Sequence, residues 1–248
     1  ETEQCYTGPS GTAGVGICQM GTETCSDGLW GECKDEVTPK NDESGACEDD
    51  VDNDCDGTED YADIECKKSA GADCTSDKMC LGQCDKSAET CAHRMFVTSQ
   101  TWNGDLGGLA GAGDKCQQLA QAEGLTGTWK AVLSDGNKDA DGYVKLEAAV
   151  YNLNGDKIAS SNDLWSGSIS NTVQYTEKMR SYGGRVWTGT RANGTASGRD
   201  CGNWNSSNGP PMPDHGQQGN SRQSDGGWID VGKGKCNTQA ALYCIDGQ

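Results

Sequence analysis

Large apolar side chains are scarce at the start of this 248-residue chain: residues 1–92 hold about a dozen Val, Ile, Leu, Met, Phe, Trp and Tyr. So few cannot bury enough area to offset the ordering of the backbone. Bases are scarce in the same stretch, where 23 acids stand against 6, while residues 93–248 carry 15 acids and 14 bases. The net charge of -18 therefore belongs to the first third, and it argues against nucleic acid as a partner, because phosphates need a basic surface. No apolar run approaches the roughly 20 residues of a spanning helix, so no membrane insertion by this chain is expected. Histidine is limited to His93 and His215, in a linker and a Pro-rich loop, and no C-x-x-C pair occurs. Thiolate metal sites are thus the weaker reading of the cysteines. G-x-S-x-G, H-E-x-x-H and phosphate-loop motifs are lacking as well, and a non-catalytic protein is expected. No signal peptide opens the chain, so Glu1 is expected to follow a cleavage site.

Cysteine, by contrast, is abundant: 15 in all, of which positions 5, 18, 25, 33, 47, 55, 66, 74, 80, 84 and 91 precede residue 92. Density of this order in a stretch with little core marks a disulfide scaffold and an oxidising compartment, the cell exterior or outer surface. Eleven is odd, so one N-terminal cysteine is left over if the four later ones pair among themselves. Three segments follow. Residues 1–66 form a Gly-rich, acidic, Cys-rich metal-binding module. Residues 67–92 form a four-cysteine knot or linker with spacing C-x5-C-x3-C-x6-C and three possible connectivities. Residues 93–248 hold six of the seven tryptophans, and a true core is expected there. In this segment "RMFVTS", "TWKAVLSDG", "GGRVWTGT" and "ALYCI" read as strands. The stretch "LAGAGDKCQQLAQAEG" sets Ala112, Cys116, Leu119, Ala120 and Glu123 at helical spacing, with Gly124 as the stop. Ala192 to Gly227, rich in Gly, Asn, Ser and Pro, reads as a long loop.

The stretch "EDDVDNDCDGTED" carries the sharpest chemistry. A calcium loop of the EF-hand kind needs oxygen ligands at positions 1, 3, 5, 7, 9 and 12 and Gly at 6. With Asp52 as position 1, Asp54, Asp56, Gly57, Thr58, Asp60 and Asp63 fill that register. Oxygen-only ligands select calcium over softer metals. The competing reading is a hydrated acidic loop; Cys55 inside it is expected to tie it down. A fainter echo, "SDGNKDADGYVKLE", offers Asn137, Asp139 and Asp141 but places Ala148 at position 12, and the alternatives are a turn and a second calcium site.

Two resemblances attach to these residues. "CYTGPSGTAGVGICQMGTETCSDGLWGEC" followed by "CEDDVDNDCDG" resembles the MopE-type metal-binding repeat of bacterial secreted and surface proteins, over about residues 5–60. The early helical Cys116, the "W-x-G" of Trp187 and Gly189, and the terminal C-x7-C at Cys236 and Cys244 resemble the C-type lectin-like fold. That resemblance implies nested pairing, Cys116 with Cys244 and Cys201 with Cys236. "RMFVTSQTWNGDLGGLAGAGDKCQQLAQAEGLTGTWKAVLSD", "VWTGT" and "LYC" resemble the endostatin-like domain of leptospiral surface proteins over about residues 94–246, which implies binding of host or matrix proteins. The sugar-binding calcium triplets of C-type lectins are not matched: "WID" at Trp228–Asp230 lacks the amide, and "MPD" at Met212–Asp214 lacks its first ligand.

The expected fold is therefore a set of small disulfide-rich, metal-stabilised modules followed by an α+β, C-type-lectin-like or endostatin-like domain. Asn203, Trp204, Asn205 and Trp228 are candidates for a recognition surface; the alternative is that both tryptophans plug the loop core. The expected function is a secreted or surface-displayed, calcium-stabilised adhesion protein that meets a protein or glycan ligand. The alternative is a fibre or matrix subunit that self-associates through calcium or interchain disulfides.

Overall fold

The computed structural model describes residues 1–43, 45–161, 163–208 and 215–247. It is a disulfide-rich α+β chain with seven bridges, and its contacts divide it into two units, Glu1–Lys68 and Ser69–Gln248. Such a set of bridges belongs to an oxidising, extracellular environment. No helix among the described residues is long and apolar enough to cross a membrane.

The first unit holds a small antiparallel sheet of β1 (Thr2–Cys5), β2 (Gly21–Ser26) and β3 (Leu29–Trp30). Asp27 and Gly28, both at positive φ, make the hairpin between β2 and β3, as an Asp-Gly pair does when its turn must match strand twist. Both apolar clusters found among the described residues lie in the other unit. Here Cys5–Cys33, Cys18–Cys55 and Cys47–Cys66 take the place of a core. Each such bridge contributes about 2–4 kcal/mol, chiefly by restricting the unfolded chain. The leftover cysteine is Cys25 on β2, opposite Trp30.

The four-cysteine segment closes through Cys74–Cys84 and Cys80–Cys91 and forms the hairpin β4 (Cys84–Asp85) and β5 (Thr90–Cys91), and by its contacts the part from Ser69 onward is grouped with the second unit. The physical reason is continuity. Only Ala92 separates β5 from β6 (His93–Val97), and Asp85 forms an ion pair at 2.8 Å with Lys157. His93 accordingly lies in a strand rather than a linker, 1% exposed, with Nδ1 2.8 Å from the Asp246 carbonyl.

The remaining elements are α1 (Gly108–Ala122), β7 (Thr128–Ala131), α2 (Ala140–Tyr143), β8 (Val150–Asn152), β9 (Lys157–Ala159), β10 (Arg185–Trp187), α3 (Cys201–Trp204), β11 (His215–Asn220), β12 (Gly232–Lys235) and β13 (Ala241–Gly247). One mixed sheet runs β12-β11-β10-β13-β6-β8-β9, and β7 also pairs with β13. β13 is the organising strand: it pairs parallel with β10 and antiparallel with β6 and β7. Its side chains alternate between two cores. Ala241, Tyr243 and Ile245 join one with Met95, Val97 and Trp228; Leu242 and Cys244 join the other with Phe96, Ala112, Cys116 and Trp187. A sheet covered on both faces explains why "MFV" and "ALYCI" are continuous apolar runs. Helix α1 covers the second core with Leu109, Ala112, Cys116, Leu119 and Ala120, and Cys116–Cys244 joins it covalently to β13. Cys201–Cys236 is nested within that loop, so these are the two pairs that the lectin-like resemblance implies.

The stretch Ala192 to Gly227 is not all loop. β11 runs through it despite its Gly and Gln content. Gly216 and Gly219 leave room for Trp187 and for the Trp228 backbone, and buried Gln217 donates to Asp230 and to the Gly232 carbonyl. Strand pairing on both sides overrides weak intrinsic propensity.

The Asp85–Lys157 pair gives the second unit a definite response to pH. Burial pushes the Asp85 carboxyl up, but the Lys157 ammonium and the Ser87 hydroxyl and amide outweigh it and hold the group below its ordinary value. The hydrogen bond to Asp85 likewise raises the Lys157 ammonium. A depressed carboxyl contributes stability that is complete above its unfolded value and lost as pH falls through the folded one. A raised ammonium contributes stability that is complete below its unfolded value and lost as pH rises through the folded one. Asp85→Asn is expected to cost about 1–3 kcal/mol near pH 7 and to flatten the acid limb below about pH 5. Thermal melts across pH check this; superimposable profiles for variant and parent would contradict it.

Candidate metal centre

The acidic loop folds between two covalent ties. Cys18–Cys55 pins its middle, and Cys47–Cys66 joins its flanks. Cys55 adopts positive φ, 61°, which turns the chain between Asp54 and Asp56. The regular alternation of an EF-hand register does not survive that turn.

Three of the expected ligands are brought together. One oxygen each of Glu43, Asp52 and Asp54 lie within 4.8 Å of one another, and so do those of Asp54, Asp63 and Glu65. Ligands held at the 2.3–2.6 Å typical of calcium span about 5 Å, so either set can enclose one ion. Asp56 and Asp60 are not in these carboxylate sets. Asp56 is exposed and accepts from the Thr58 amide at 2.8 Å and its hydroxyl at 2.5 Å, which lowers its carboxyl below the ordinary value. Thr58 is itself exposed, and its hydroxyl lies within donating distance of Asp56 Oδ1 at 2.5 Å and of Asp63 Oδ2, a member of the second set, at 3.4 Å. Asp60 is turned the other way and accepts the amides of Asp49 and Asp50, each at 3.0 Å. The Asp56 and Asp60 carboxylates serve loop geometry instead.

Two participants escape the loop register, Glu43 and Glu65. Asn53 donates its amide to Glu43 Oε1, the Glu43 amide donates to Glu65 Oε2 at 3.3 Å, and the Glu65 amide donates to Asp63 Oδ1 at 2.9 Å. Segment 40–43 is docked on the loop by the Lys40 amide, which donates to the Asn53 carbonyl at 3.0 Å. No spacing rule marks Glu43, because backbone pairing across the module delivers it.

The electrostatics of the first set are unbalanced. Glu43 is 0% and Asp52 8% exposed, yet Glu43 Oε2 and Asp52 Oδ1 have no hydrogen-bond partner among the described residues. A buried unpaired carboxylate oxygen costs free energy that a cation recovers. Burial pushes the Asp54 carboxyl up, the Asp56 amide opposes this, and the negative charges of Asp56, Asp63 and Glu43 push it up further. Neighbouring backbone is fitted to the loop as well: the Ile17 amide donates to the Asp52 carbonyl at 3.0 Å, and a Cβ on Gly16 would overlap that carbonyl. The donor set, all carboxylate, fits a hard cation such as calcium.

The other candidate residues fare differently. Asn137, Asp139 and Asp141 do not converge: Asp135 accepts the amides of Asn137 and Lys138, and Asp139 accepts the amide of Ala196. The three stay exposed around α2, since "DADGY" forms a turn of helix rather than a loop that wraps an ion. Trp204 and Trp228 are 0% exposed and are removed from the recognition surface. Trp204 donates to the Ser134 carbonyl at 2.8 Å and packs on Trp187, while Trp228 lies against Tyr243 and Trp165. Asn203 and Asn205 remain exposed. The "MPD" triplet, Met212–Asp214, lies outside the described residues. In comparison with known proteins, the chain matches no family model and no curated relative.

Glu43→Gln separates a cation site from a solvated acidic loop by the sign of its effect. In chelator the variant is expected to be as stable as the parent or more stable, because an unpaired buried charge is gone. In calcium it is expected to fall below the parent by about 1–3 kcal/mol, as one charged ligand is lost. Paired thermal melts check this; a destabilisation of equal size in both conditions would contradict it.

Proposed function

We propose that this protein is a secreted or surface-displayed, non-catalytic binding protein in which a calcium ion stabilises the first unit and the second unit serves as a lectin-like recognition head. The observation that carries the cation reading is the pair of buried, unpartnered oxygens of Glu43 and Asp52 beside Asp54. An acidic loop meant only for solvation has no need to bury charge away from both water and partners. The seven bridges support an extracellular setting. The resemblances to MopE-type repeats and to endostatin-like domains support the assignment of the two units to metal binding and to adhesion, with a protein or glycan ligand at a cell surface or matrix.

A second reading has its own support. Cys25 is unpaired, and across the β2–β3 hairpin Leu29 and Trp30 are 76% and 43% exposed. A thiol beside exposed apolar side chains on a narrow sheet suits a fibre or matrix subunit that joins a neighbour through an interchain disulfide.

Calcium titration followed by thermal melting, with metal analysis of native material, tests the main reading. Calcium at about 100 times its dissociation constant is expected to add about 2.7 kcal/mol to the first unit. Native material is expected to carry calcium in stoichiometric amount. Stoichiometric copper or zinc instead, or a melt indifferent to calcium and chelator, would sink it. Non-reducing gels that show calcium-dependent covalent oligomers would favour the fibre.

A further inference from the structure

A second concave site lies in the second unit and plays no part in the reading of the acidic loop. A cavity of about 310 Å3 is lined by Arg199, Asp200, Cys201, His215 and Lys233, with Gly198 and Gly202. Strand register explains why cationic side chains gather there. On the β11–β12 ribbon His215 stands opposite Lys235 and Gln217 opposite Lys233. Directly opposed residues share a face, and so do residues two apart, which places all four on one side. On the far side of β11 the Gln217 amide donates to the Arg199 carbonyl at 2.8 Å, which brings Arg199 into the same row.

Arg199 is held in place rather than left to wave. Its Nη1 donates to Gln217 Oε1 at 3.0 Å, and Gln217 is 1% exposed. Gln217 is fixed in turn, since its Nε2 donates to Asp230 Oδ1 at 2.5 Å and to the Gly232 carbonyl at 2.8 Å. A guanidinium oriented by a buried amide is pre-organised for a planar anion, because less side-chain freedom is lost on binding.

The wall beside it is strained. Cys201, Gly202, Asn203 and Trp204 have φ of 50°, 65°, 55° and 60°, a full turn of left-handed backbone. Such a conformation costs about 1–2 kcal/mol at each residue other than glycine and collects at functional positions. Three contacts impose it: the Cys201–Cys236 bridge, the Asn203 amide donating to Asp200 Oδ1 at 3.1 Å, and the buried Trp204 ring. The turn leaves Asn203 and Asn205 exposed.

The chemistry of the lining restricts the ligand. Three groups able to carry positive charge call for an anion, while Asp200 Oδ2 calls for a hydroxyl. No large exposed apolar side chain among the described residues lines the cavity, which disfavours a protein anchor of the usual aromatic kind. The volume sits near the lower end of ligand sites, roughly 300–1,000 Å3, and suits a single sugar ring. We propose that this cavity binds the carboxylate and adjoining hydroxyls of an acidic sugar, the Arg199 fork and Lys233 taking the carboxylate and Asp200 a hydroxyl. The proposal rests on the reading of the second unit as a recognition head and names its ligand class.

Titration of the full chain with D-glucuronate and with D-glucose, followed by calorimetry or by amide chemical shifts, tests it. Glucuronate is expected to bind at least tenfold more tightly than glucose, with affinity falling as salt rises. Arg199→Gln and Lys233→Gln are each expected to weaken glucuronate about tenfold or more and to leave glucose and the calcium-dependent melt unchanged. Lys233 is exposed and makes no protein hydrogen bond or ion pair among the described residues, so its variant separates loss of binding from loss of fold. Glucuronate that binds no better than glucose, or equally well to both variants, overturns the proposal. Capture of neutral glycans or of matrix protein with glucuronate ignored also overturns it, and leaves the recognition role of the unit standing.

Discussion

The shortage of apolar side chains before residue 69 governs how the first unit is built. With little to bury, its backbone is ordered by bridges that each span a long loop and by polar contacts that converge on the acidic stretch. Cys18–Cys55 is the central tie, since it sets the middle of the loop against the segment that holds Gly16 and Ile17. That proximity lets the Ile17 amide reach the Asp52 carbonyl and forces the Asp52 side chain inward. Once Asp52 and Glu43 are buried, no ion pair among the described residues answers their charge. The covalent ties thus create an electrostatic cost, and the proposed cation would be the device that relieves it.

The second unit obeys the opposite economy. Two cores pack on the faces of one sheet, and tryptophan supplies much of their volume. That choice removed Trp204 and Trp228 from the surface, where isolated residues in a polar loop had suggested an exposed role. Each indole is too large to leave in water when small glycines around it allow burial: Gly189 lies against Trp204, and Gly219 against the backbone of Trp228. What the loops expose instead is polar, the amides of Asn203 and Asn205 and the row of Arg199, Lys233 and Lys235.

Legibility in the sequence followed the range of the interaction. Helix α1 and strands β6 and β13 were readable because their apolar period is local and both faces of the sheet are covered. The acidic loop was half readable. Asp52, Asp54 and Asp63 were marked by spacing, and Asp54 meets Asp52 in one carboxylate set and Asp63 in another, whereas the Thr58, Asp49 and Asp50 amides engage Asp56 and Asp60 elsewhere. Glu43 and Glu65 could not be found by periodicity, since a backbone pairing between distant segments places them. β11 was hidden for a related reason. Its glycines and glutamines have weak strand propensity, and only its neighbours on either side make it a strand. Cysteine spacing marked the four-cysteine segment because it reports covalent closure, but it says nothing of which unit the closed segment is grouped with.

The place of β13 in the chain has a consequence for how the protein comes to be folded. This strand joins β6, β7 and β10, so the large sheet stays open until Ala241–Gly247 has been delivered to it. Contacts of such sequence separation are slow to form, and the surfaces they cover stay exposed meanwhile. Cys116 cannot meet Cys244 before that strand arrives, so the bridge that joins α1 to the sheet is made late. The order of the strands thus postpones both tertiary structure and oxidation to the closing strand of the unit, a form of timing written into topology.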